Sequence, residues 1–74
     1  LKTGLQARRG GKTIWQLPFS WKEQSTVYLY ELGGKGRRFI ESLTVRGGLV
    51  EIEAQPDKGY VLYKQEMKQL PEML

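Results

Sequence analysis

Glu51 and Glu53 are the side chains whose type and spacing come nearest to catalysis in this sequence. Two residues apart on a strand they share a face, roughly 6.5–7 Å between Cβ atoms, a spacing that overlaps the carboxyl separation used in inverting glycoside hydrolysis. A general acid, however, needs one carboxyl desolvated enough to hold its proton near neutrality. Here Val50, Ile52 and Ala54 take the apolar face of the same run and leave both glutamates on the wet one. They read as solvated acids balancing nearby Lys and Arg. With His 0 and Cys 0 in the composition, Ser and Thr have no imidazole base, zinc loses its usual ligands, and no disulfide can form. The acids are too dispersed for a carboxylate-only cation site. Gly33 to Gly36 and Gly47-Gly48 lack the Gly-Lys-Ser/Thr spacing and the following helix of a phosphate loop, and read as turns. The expectation is no catalytic residue, no metal and no cofactor.

The aromatic residues are the second group with chemical potential. Trp15, Trp21, Tyr28, Tyr30, Tyr60 and Tyr63 could stack on sugars, since a ring offers a flat apolar face with a polar edge. The same rings are what a thin β core buries to gain area. Trp21, which follows a turn, is the better placed for exposure, and Trp15 and Trp21 are the candidate carbohydrate-binding residues. Whichever of Tyr28 and Tyr30 points away from the small core is the candidate for contact with a neighbouring domain.

These residues are positioned by strands. Thr13-Ile14-Trp15-Gln16-Leu17 is β-branched and aromatic, and Pro18 ends it by withholding a ladder donor. Pro18-Phe19-Ser20-Trp21 is a connection whose two rings are expected to plug one end of the core. Thr26-Val27-Tyr28-Leu29-Tyr30-Glu31-Leu32 is largely apolar on both faces, the pattern of a central strand. Gly33 to Gly36 reverse the chain, and the mixed alternation from Phe39 to Val45 suggests a bulge or bend. Gly47-Gly48 then leads into residues 49–54 as a hairpin. Pro56-Asp57-Lys58-Gly59 forms a turn closed by Gly59 in the left-handed region, and Tyr60 to Tyr63 is the last strand. This gives an all-β fold, a small antiparallel sheet or sandwich of about five strands over residues 12–64. Residues 1–11 read as a flexible, disordered leader. Residues 65–74 read as a tail or linker to a following module.

A chain of 74 residues buries only roughly 60% of its unfolded surface. Without covalent staples it is expected to lean on neighbouring protein, and its start at Leu1 suggests a piece of something longer. No apolar run approaches the ~20 residues of a membrane span. Lys and Arg total 12 against 8 Asp and Glu, a net charge of +4, which raises single-stranded nucleic acid as a partner. Arg8, Arg9 and Lys12 lie near the start, Lys35, Arg37 and Arg38 fall in a turn, and the rest are scattered among acids, a distribution that fits solvated loops better. Nucleic acid is therefore not the expected partner.

The order Trp15-Gln16-Leu17-Pro18, Ser20-Trp21, Val27-Tyr28-Leu29-Tyr30-Glu31-Leu32 and Gly36-Arg37 resembles that of one enzyme family. So does Tyr60-Val61-Leu62-Tyr63-Lys64 with its polar linker to Pro71-Glu72-Met73. The similarity covers residues 12–73 and is to the β-sandwich domain following the catalytic barrel in bacterial endo-α-N-acetylgalactosaminidases. These are exported or surface-anchored glycoside hydrolases that release the disaccharide Gal-GalNAc from Ser or Thr of mucin-type glycoproteins. The resemblance implies a non-catalytic accessory domain, secreted or attached to the bacterial cell surface, whose partners are the barrel and flanking domains of its own chain. In that family the nucleophile and general acid lie in the barrel, so no catalytic residue falls here. The alternative is a carbohydrate-binding module that holds the glycan substrate.

Overall fold

The computed structural model describes residues 2–7 and 9–67. Strict alternation places Val50, Ile52 and Ala54 inside and Glu51 and Glu53 in water along strand β5, Leu49–Ala54. The other strands are β1 (Lys2–Ala7), β2 (Gly11–Gln16), β3 (Thr26–Gly33), β4 (Gly36–Thr44) and β6 (Lys58–Tyr63). They build two antiparallel sheets, β1-β6-β3-β4 and β2-β5, an all-β, sandwich-like fold.

The two sheets are joined through a shared register. Lys2 pairs with Tyr63 and Ala7 with Lys58 in one sheet, while Gly11 pairs with Ala54 and Gln16 with Leu49 in the other. The offset between partners is the same throughout, so β1–β2 and β5–β6 form one long two-stranded ribbon that bends from sheet to sheet. Such bends need backbone conformations that most residues avoid. Gly10 (φ 79°), Gly11 (φ 91°) and Asp57 (φ 60°) supply them on the two sides of the corner. The left-handed position of the 56–59 turn is therefore Asp57, whose short polar side chain tolerates it, and not Gly59, which lies within β6.

Trp15, Leu17, Trp21, Val27, Leu29, Val50, Ile52, Ala54, Tyr60 and Leu62 fill the space between the sheets, with Ile40, Leu43 and Val45 packed at its margin. The core is sealed at one end by the 3-10 turn Phe19–Trp21. β3 lies between β4 and β6 and is apolar on both faces, as expected of a central strand. Its outer face carries Tyr28 and Tyr30, with Val61 and Tyr63 from β6 and Met67 beyond. Opposite Leu29 and Tyr30 the pairing moves from Glu41 to Phe39, so Ile40 is a bulged residue. That bulge sets Phe39 edge-on to Tyr30, 5.4 Å between centroids, while Ile40 leans on the inner core.

Residues beyond β6 fold back across the outer face. The Tyr30 hydroxyl donates to the Met67 carbonyl at 2.9 Å and accepts from the Met67 N–H at 2.8 Å. The Gln24 side-chain amide donates to the carbonyls of Thr26 at 2.9 Å and Lys64 at 2.8 Å. Each of these contacts pairs a partly buried polar group that would otherwise lose its bond to water.

Three further expectations change. The stretch taken as an irregular leader contains β1, because its backbone completes the ladder along β6. The run after Gly47-Gly48 does not pair with the strand before it beyond the Arg46–Leu49 bridge; β5 departs to pair with β2 instead. Of the two rings assigned to plug the core, Trp21 does so at 3% exposure and Phe19, at 80%, does not. In a 3-10 turn of three residues per revolution, positions two apart point about 120° from each other, so one faces in and the other out. Of the expected tail 65–74, residues 68–74 lie outside the described residues, Pro71, Glu72 and Met73 among them.

Candidate functional site

A concave surface beside an exposed aromatic ring lies at the end of the sandwich closed by the 3-10 turn. Leu17 is tied there by its N–H to the Gly48 carbonyl, 2.9 Å, and the turn is locked by Trp21 N–H to Pro18 O, 2.9 Å, and Lys22 N–H to Phe19 O, 3.0 Å. These bonds hold Pro18–Ser25 and the Gly47-Gly48 turn on either side of an open cleft of about 520 Å³. Gln16, Lys22, Gln24 and Ser25 bring polar groups to it, and Leu17, Phe19, Trp21 and Val45 bring apolar ones. The Lys22 ammonium lies 4.7 Å from the Phe19 ring centroid, which covers one face of that ring with a cation. An exposed ring bordered by amide and hydroxyl groups can hold a ligand with an apolar face and a polar rim.

The residues singled out by type fall elsewhere. Trp15 and Trp21 are both in the core, 5% and 3% exposed, so neither presents a ring face for stacking on a sugar. Their assignment as carbohydrate-binding residues is corrected on that ground, and Phe19 is the exposed ring in their place. Tyr30 does point away from the inner core, as one of the pair was expected to, but it is 1% exposed. Its cover comes from the chain itself, in Met67, Phe39, Tyr63 and Arg37. Tyr28, on the same face, is half-buried.

Glu51 and Glu53 stand exposed on the outer face of β5, where Lys12 Nζ lies 3.3 Å from Glu51. That face also carries Ile14 at 57% exposure and Leu49 at 41%, two aliphatic residues open to water. Among the described residues no group of three or more His, Cys, Asp or Glu is placed to hold a metal ion, and no helix is long and apolar enough to cross a membrane.

Fold and surface together define a small sandwich-like β protein with an aromatic-rimmed cleft at one end. No family model matches the chain. Sequence reasoning missed Phe19, and the signal that could have found it was the two-residue spacing to Trp21 immediately after Pro18, which fits one turn of tight helix.

Proposed function

We propose that this chain is a non-catalytic β-sandwich domain of a secreted or surface-attached bacterial glycoside hydrolase of the endo-α-N-acetylgalactosaminidase type. In this reading it packs beside the catalytic barrel that releases Gal-GalNAc from mucin-type glycoproteins. The observation that carries this reading is where the resembling residues lie. Trp15, Leu17, Trp21, Val27, Leu29, Tyr30 and the segment Tyr60 to Tyr63 are all buried, so the resemblance runs through the residues that build the fold. Residues whose identity is set by packing suit a scaffold. The outer face of β2 and β5, with Ile14 and Leu49 exposed, is the surface that such a scaffold would turn toward a neighbour, and it replaces Tyr28 and Tyr30 in that role.

The test is enzymatic. The isolated chain is expected to release no disaccharide from a Ser-linked Gal-GalNAc glycopeptide, whereas the full polypeptide that contains it releases Gal-GalNAc and melts at a lower temperature once Ile14 and Leu49 are both changed to Ser. A parent polypeptide without that activity overturns the reading.

A second reading, glycan binding by the domain itself, is favoured by the exposure of Phe19 beside the end cleft. Trp21 lines that cleft from below, so its fluorescence reports an occupant.

A further inference from the structure

We propose that the hollow beside the β3–β4 hairpin binds a tetrahedral oxyanion, sulfate or phosphate, on the guanidinium of Arg37. This hollow, about 280 Å³, is lined by Glu31, Lys35, Arg37 and Arg38 together with Gly33, Gly34 and Gly36. The Glu31 carboxylate is taken up by Arg38 Nη2 at 3.1 Å. Lys35 and Arg37 have no carboxylate within salt-bridge distance among the described residues. Three cations against one carboxylate leave the hollow at a net +2, which a dianion neutralises and a single carboxylate does not.

Arg37 is also held ready. Its Cζ lies 5.3 Å from the Tyr63 ring centroid and 6.0 Å from that of Tyr30, and its Nε is buried with no hydrogen-bond acceptor. With Nε packed away, the terminal nitrogens are the part of the guanidinium that can meet a ligand. A guanidinium fixed on aromatic faces loses less freedom when its paired N–H groups bind oxygen in a fork, and that geometry suits sulfate and phosphate. Gly34 and Gly36 bring no side chain of their own to the hollow, and even an added Cβ there would meet nothing within 4 Å, so the hairpin side of the hollow is open.

The experiment is a two-dimensional NMR titration of the full chain at constant ionic strength, following the Arg37 Nε–H and the amides of residues 34–36. Sodium sulfate, sodium phosphate, galactose 6-sulfate and galactose 6-phosphate are the probes, with chloride as the balancing salt. Saturable shifts with sulfate or phosphate are expected, about tenfold weaker in Arg37→Lys, which keeps the charge but loses the fork. Lys35→Ala, in an exposed turn, keeps the fold and weakens binding about threefold. Tighter binding of the sugar esters than of the inorganic ions assigns the site to an anion carried on a glycan, and the reverse assigns it to the free ion. Shifts linear in added anion, or equal affinity in folded Arg37→Lys and the parent sequence, overturn the proposal.

Discussion

Replacing Gly10 by Ala tests the bent ribbon directly. A Cβ at this position would lie 2.9 Å from both Cδ and N of Pro56 and 3.0 Å from the Ala54 carbonyl oxygen, at a φ of +79°. A proline ring and two backbone atoms have little room to yield, because they belong to the opposite side of the corner. The left-handed backbone costs an L-residue about 1–2 kcal/mol, and overpacking against rigid neighbours costs about 1–3 kcal/mol more. Gly11→Ala is the matched control, since its φ is +91° and nothing lies within 4 Å of its Cβ; it carries the backbone term alone. Both changes stiffen the unfolded chain equally, so that contribution cancels in the comparison. Stability of a chain this size is about 4–11 kcal/mol. With a urea slope of about 1 kcal/mol per molar, Gly10→Ala is expected to lower the unfolding midpoint by about 1–3 M more than Gly11→Ala. Equal midpoints for the two variants would show that the strands do not meet at this corner, and the account of one continuous ribbon would fail.

Tyr30→Phe keeps the ring and removes both hydroxyl bonds to Met67. It is expected to cost about 1–2 kcal/mol and to speed hydrogen exchange at the Met67 amide, while the amides of β3 stay protected; unchanged exchange at Met67 refutes the clasp. Phe19→Ala is expected to leave stability within about 0.5 kcal/mol, as for other exposed sites, and to abolish any saturable quenching of Trp21 fluorescence by Gal-GalNAc. Quenching retained in that variant removes the end cleft as a glycan site.

The strands with strong local patterns were legible in the sequence. Alternation along β5 and the two-sided apolar run of β3 follow from side-chain period alone, and the Phe39 to Val45 irregularity is the Ile40 bulge. β1 was not legible, because Lys2, Thr3, Gly4 and Gln6 carry no apolar period; what makes this segment a strand is backbone pairing with β6, a partner more than fifty residues away in sequence. The pairing of β5 with β2 was hidden for a similar reason. Gly47-Gly48 is a local turn signal, whereas the choice of partner depends on burying Trp15 over Val50 and Ile52. Of the candidate site, composition marked the aromatic residues but could not say which ring faces water, because Phe19 and Trp21 are separated only by the handedness and pitch of a single tight turn.

The common register of the ribbon also fixes how the domain would respond to load. Lys2 and Tyr63 are direct partners at the open end of the ladder, so tension applied through the two ends of the fold pulls the strands apart sideways. Antiparallel bonds run perpendicular to the strands, and they would break in succession, one rung after another, where a sheared ladder makes all its rungs resist together. The Tyr30–Met67 clasp sits outside the first rung and would take the strain before it. A ladder loaded in this way yields at lower force than one loaded along its strands.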